Sequence, residues 1–81
     1  MPTVTDRFFE AFDAILVRDA VSIREFCREL GVDRRNFLKQ RDDHSRCILK
    51  PEWLTFLVER YGVDSAWLLT GRGRMFSNRN E

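Results

Sequence analysis

The 81-residue sequence is short of the residues that tie a chain to a particular environment. No apolar run approaches the ~18 residues that a membrane-spanning helix requires; the longest are Ala14 to Val17 and Ala66 to Leu69. The N-terminus has no charged start followed by an apolar core and small cleavage residues, so no export signal is expected. Only two cysteines are present, Cys27 and Cys47, which could form one bridge in an oxidising compartment; without a signal, reduced thiols in a cytoplasm are the expectation. With a single histidine, His44, those cysteines cannot complete a four-ligand zinc site, and no metal or other cofactor is expected. Excess charge of one sign is also missing. Fourteen Lys+Arg stand against 13 Asp+Glu, a net of +1, which argues against a polybasic binder along the whole chain. Lysine is nearly absent, with Lys39 and Lys50 the only two. The remaining cations are arginines, which suit bidentate contact with phosphate, carboxylate or guanine.

What is present is a globular composition, 43% hydrophobic and 33% charged, in a length that allows one small domain. Strand signals are scarce and helical ones recur, so the chain is expected to be all-α. Thr3 or Thr5 can cap a first helix, in which Phe8, Phe9, Phe12, Ile15 and Leu16 form one apolar stripe ending near Asp19. Ser22 with Glu25 reads as a capping box for a second, short helix carrying Ile23, Phe26, Cys27 and Leu30, closed by Gly31. Asp33 caps a third helix whose inward anchor is Phe37. Asp42 to Lys50 reads as a polar loop. Pro51 opens a fourth helix lined by Trp53, Leu54, Leu57, Val58 and Tyr61, and Gly62 stops it. Asp64 caps a fifth, with Ala66, Trp67, Leu68 and Leu69, ended by Gly71. Residues 1–76 are read as the domain and 77–81 as a flexible tail.

The informative stretch runs from Ile23 to Asp42. Two short helices meeting at a steep angle need a small residue at their crossing, a glycine at the turn and apolar anchors around it. Cys27, Gly31, Phe26, Leu30, Val32 and Phe37 supply these. Together with Glu59-Arg60-Tyr61-Gly62-Val63-Asp64, Trp67-Leu68-Leu69-Thr70-Gly71, Gly73 and Met75-Phe76, the chain resembles phage-repressor-like (Xre-type) helix-turn-helix proteins over residues 5 to 76. The resemblance implies a single five-helix lambda-repressor-like domain that binds operator DNA in a cytoplasm, usually as a homodimer. It places a recognition helix at about 33–42 in the major groove. Arg34, Arg35, Asn36 and Lys39 would contact bases, and Ser22, Arg41, Arg46 and Lys50 the DNA backbone. These residue types fit: arginine grips guanine O6 and N7, and asparagine reads adenine N6 and N7.

Charge placement agrees with such a footprint. Arg34 to Lys50 holds six basic and two acidic residues, a local +4, whereas Asp6 to Glu29 holds four basic and six acidic, a local −2. Three features depart from the family pattern. Ile23 stands where a glutamine often buttresses the recognition helix, Gln40 where an apolar anchor is usual, and Asp42–Asp43 bring negative charge near the phosphates. They motivate an alternative: a protein-interaction module on the same fold that no longer reads a groove. Phe56 lies off its helix's stripe and reads in two ways. It either joins Ile48, Leu49, Phe9 or Phe76 in a patch for self-association through helix four and the tail, or is partly buried under that tail. Arg72-Gly73-Arg74 is a weak nucleic-acid signal, best read as part of a flexible tail that docks through Met75 and Phe76. His44 beside Asp43 and Ser45 makes no catalytic triad, whose members come from separated positions, and no enzyme is expected.

Overall fold

Four of the five described helices begin on a side chain that satisfies an otherwise orphaned backbone N–H. In this computed structural model, which describes residues 2–44 and 49–76, Thr3 caps α1 (Val4–Arg18) through a full capping box. Thr3 Oγ1 accepts from the Asp6 N–H, and Asp6 Oδ2 accepts in return from the Thr3 N–H. Ser22 starts α2 (Ile23–Leu30) by accepting from the Glu25 N–H at 3.1 Å, which is only half of the box expected there. Asp33 caps α3 (Arg34–Asp42) and Asp64 caps α5 (Ser65–Thr70) in the same manner. Between them α4 (Pro51–Tyr61) starts on proline, with Lys50 at its N-cap and no side-chain cap. The sequence-level predictions for Arg46, Cys47, Ile48 and the 77–81 tail lie outside the described residues.

The five helices bury one core made largely of rings. Phe8, Phe9, Phe12 and Ile15 of α1 meet Phe26 and Cys27 of α2, Phe37 of α3, Trp53, Leu57 and Tyr61 of α4, and Trp67 and Leu68 of α5. Phe12 meets Phe26 edge-on at 4.7 Å between centroids, and Phe8 stacks on Trp53 at 5.7 Å. Such pairs add roughly 0.5–1.5 kcal/mol each beyond their area. Phe9 is 2% exposed, so it cannot belong to the surface patch that the sequence allowed. Phe8 and Phe9 lie on one broad stripe of α1, and Phe9 turns to meet Phe37 and the ring of His44. Phe56 is half-buried, edge-on to Phe26 at 5.4 Å and to Tyr61 at 5.6 Å.

Two arginines join helices that their sequence positions keep apart. Arg7 of α1 is buried, and its Nε and Nη2 donate to the carbonyls of Leu68 and Leu69 at 2.9 Å each, while Nη1 donates to the Pro2 carbonyl at 3.1 Å. It therefore caps α5 from outside, where the helix dipole is negative. Gly71 ends α5 at φ +83, and a Cβ there would lie 3.2 Å from Arg7 Nη1, so this glycine serves both a left-handed turn and a close approach. Arg18 donates to the Tyr61 carbonyl at 2.8 Å and lies 3.8 Å over the Phe76 ring. That contact, a bridge between Val63 and Phe76, and the Asp64 N–H donating to the Met75 carbonyl bring the chain after α5 back onto the body. Among the described residues, no helix is long and apolar enough to cross a membrane.

Candidate nucleic-acid interface

The turn between α2 and α3 takes three residues. Gly31 adopts φ +82, its N–H donates to the Cys27 and Arg28 carbonyls, and the Val32 N–H donates to Cys27 as well. Asp33 can then cap α3 immediately. Cys27 is 2% exposed at this junction, and burial pushes its thiol pKa up, so it behaves as a small apolar residue.

Phe37 sets how α3 is rolled on the body. It is 1% exposed and touches five rings: Phe8, Phe9, Phe12, Phe26 and Trp53, with centroids 5.1 to 6.1 Å away. A helix turns by ~100° per residue, so the direction opposite Phe37 belongs to Arg35, Lys39 and Asp42. All three are exposed. Arg34 lies on the α2 flank, close enough to Cys27 to act on it electrostatically. Asn36 and Gln40 lie on the other flank, bordering a groove of about 550 Å³ shared with Lys39, Lys50 and Trp53.

The predicted contact residues thus separate into groups. Arg34, Arg35, Asn36, Lys39 and Lys50 are exposed, and their side chains have no hydrogen bond or ion pair among the described residues. Ser22 uses its hydroxyl as the α2 cap. Arg41 is half-buried and turned back to α1, where it pairs with Asp13 at 3.2 Å and lies 6.0 Å from the Phe12 ring centroid. Arg46 is outside the described residues.

Three arginines outside α2 and α3 are matched to acids or carbonyls. Arg18 pairs with Asp19 at 2.9 Å, Arg60 with Glu29 at 3.3 Å, and Arg7 is bound to three carbonyls. Arg24 and Arg28 of α2 are exposed without such partners, and a reading that assigned them to an acidic N-terminal half missed them. Their four-residue spacing, off the Phe26–Cys27 stripe, was the available signal.

The departures from the family pattern also have local consequences. Ile23 packs at the edge of the core and offers α3 no polar buttress. Gln40 is half-buried, and its Oε1 is enclosed with no hydrogen-bond partner among the described residues. Asp42 is exposed. His44 is held by α1: its ring stacks on Phe9, and its Nδ1 is hydrogen-bonded to the Asp6 carboxylate. The Thr3 backbone N–H and His44 together hold the Asp6 carboxyl below its ordinary pKa.

Exposed apolar surface lies elsewhere. Leu69 is 54% exposed and, with Leu54 and Val58, lines a shallow groove between α4 and α5, while Val17 is 84% exposed on α1. Phe56 and Phe76 are both half-buried and spoken for by Tyr61 and Arg18. Among the described residues, no cluster of His, Cys and carboxylates is arranged to hold a metal ion. Compared with protein-family models, curated proteins and solved structures, the chain matches none.

Proposed function

We propose that this protein is a sequence-specific DNA-binding domain of the lambda-repressor-like class, acting as a transcriptional regulator of phage or plasmid type in a cytoplasm. The observation that carries the reading is the unneutralised face of α3. Phe37 anchors the helix among five rings, and the cations left outside have no hydrogen-bond or ion-pair partner among the described residues, whereas Arg7, Arg18, Arg41 and Arg60 are paired. A surface with cations held in place but unmatched is suited to a polyanion. Arg34, Arg35, Asn36 and Lys39 would contact bases. Lys50, Arg46, Ser22 with the free N–H groups at the start of α2, and Arg41 once released from Asp13, would hold phosphates.

A homodimer would set two such helices about 34 Å apart on a two-fold site. Because Phe56 and Phe76 are engaged by their own chain, the α4–α5 surface around Leu54, Val58 and Leu69 is the better place for that contact. The rival reading, a protein-interaction module without groove reading, is favoured by Ile23 turned into the core and by the enclosed Gln40.

Salt titration of binding to duplex DNA separates the two. With about four phosphate contacts, log K should fall against log salt with a slope near −3.6. Arg35→Ala should relax the preference at one base pair at a cost of ~1–3 kcal/mol, and Lys50→Ala should weaken all sequences alike. Folded protein that binds no duplex at ~50 mM salt, where the ionic contribution is large, would eliminate the DNA reading.

A further inference from the structure

The residue on the outward row of α3 that least suits a polyanion is Asp42. It is exposed, it ends the helix, and its carboxylate has no hydrogen bond or ion pair among the described residues, not even with Lys39 one turn before it. A carboxylate in the last turn also opposes the helix dipole. Its direction is informative. A helix ~10–12 Å across fills a major groove ~12 Å wide, so its outermost row meets the floor, where the base edges lie. Opposite Phe37, that row is Arg35, Lys39 and Asp42.

Resting on the DNA-binding reading above, we propose that Asp42 is a specificity determinant whose carboxylate accepts a hydrogen bond from the N4 amino group of cytosine. Among bases seen from the major groove, cytosine presents an amino donor without a neighbouring acceptor, which matches an acceptor-only side chain. The row then reads a guanine through Arg35 and a cytosine through Asp42. Seven residues at 1.5 Å each separate the two by ~10 Å along the helix, about three base-pair steps. Phosphate repulsion is tolerated because the carboxylate points to the floor of the groove and because Lys39 lies beside it.

Selection of bound sites from a randomised duplex library, with the full chain and its Asp42→Ala and Asp42→Asn variants, tests this. The wild-type site should contain a C·G pair about three steps from a guanine lost in Arg35→Ala. Asp42→Ala should bind that site roughly 5- to 100-fold more weakly although it removes a negative charge, and lose preference at that pair alone. Asp42→Asn should shift the preference there from cytosine towards adenine. If Asp42→Ala instead binds the same site equally or more tightly, Asp42 only repels phosphate and the assignment is wrong while DNA binding stands. A wild-type chain that enriches no site and shows no salt-dependent duplex binding removes the DNA reading, and this assignment with it.

Discussion

Replacing Arg7 by methionine keeps the length of the side chain and removes its guanidinium. Three carbonyls lose their donor: Leu68 and Leu69 at 2.9 Å and Pro2 at 3.1 Å. They are not equivalent. Leu69 and Pro2 are exposed, and water can replace the arginine there, but Leu68 is 1% exposed, so the loss at its carbonyl is the hardest to replace. A hydrogen bond from a charged group contributes about 1.5–3 kcal/mol, and an unsatisfied buried acceptor costs about 1–3 kcal/mol. Against this, methionine no longer carries the desolvation penalty of a buried cation that has no carboxylate beside it. The balance should be a loss of ~2–3 kcal/mol, set mainly by Leu68, in a domain whose total stability is expected near 4–12 kcal/mol. That corresponds to a fall in Tm of roughly 8–20 °C for a chain of this size. Arg7→Lys should lie between wild type and Arg7→Met, since one ammonium cannot reproduce the planar fork facing two successive carbonyls. Urea denaturation followed by tryptophan emission measures this directly, because Trp67 sits within α5 and Trp53 on the facing side of the core. An Arg7→Met variant within 0.5 kcal/mol of wild type would show that α5 is held by apolar packing alone and that the arginine is incidental.

Ala20, between α1 and α2, is the one described non-glycine residue with positive φ, +53. Ala20→Gly should raise stability by about 0.5–1 kcal/mol, read as a higher urea midpoint with unchanged m-value, and a fall would mean that unfolded-state entropy dominates. The Asp6 carboxyl is held below its ordinary pKa by the Thr3 backbone N–H and by His44, so its ionised form belongs to the folded state. The stabilisation is present above the unfolded carboxylate value and is lost as pH falls through the lower folded value. Asp6→Asn should therefore flatten the acid limb of stability against pH, and an unchanged limb would mean that other carboxylates govern it.

The helix ends were legible in the sequence because capping is local chemistry: Thr3, Ser22, Asp33 and Asp64 each accept from the N–H three residues on, as expected from residue type and spacing. The apolar faces were legible for the same reason. Less was visible where one residue type has two uses. Arg7 falls between Asp6 and Phe8 on an apparently ordinary first turn, and nothing within four residues indicates that two carbonyls at the far end of the chain await it. Arg41 looks like its neighbours on α3 until the fold brings Asp13 within 3.2 Å. Phe9 and Phe56 were ambiguous because a broad apolar stripe does not say which of its edges is covered. Their cover comes from Phe37 and His44 in one case and from Phe26 and Tyr61 in the other.

These pairings also bear on the small net charge. Counted along the sequence, +1 says little about any face. In the fold, Asp13, Asp19 and Glu29 are occupied by Arg41, Arg18 and Arg60, which draws acids of α1 and α2 against cations of α1, α4 and the end of α3. Left over among the described residues are Arg24, Arg28, Arg34, Arg35 and Lys39 on one stretch of chain, Lys50 at the start of α4, and Arg72 and Arg74 after α5. Each such pair removes one charge of either sign and leaves the total unchanged, so the total does not say where the unpaired cations lie. The Arg41–Asp13 pair then becomes a point of control. Asp13 is exposed and Arg41 only half-buried, so the pair is worth little in isolation and a phosphate can compete for the guanidinium. Asp13→Asn should free Arg41, leave stability within about 0.5 kcal/mol, and steepen the salt dependence of duplex binding by about one phosphate contact. An unchanged salt slope would mean that Arg41 stays on α1 when DNA is bound and takes no part in the interface.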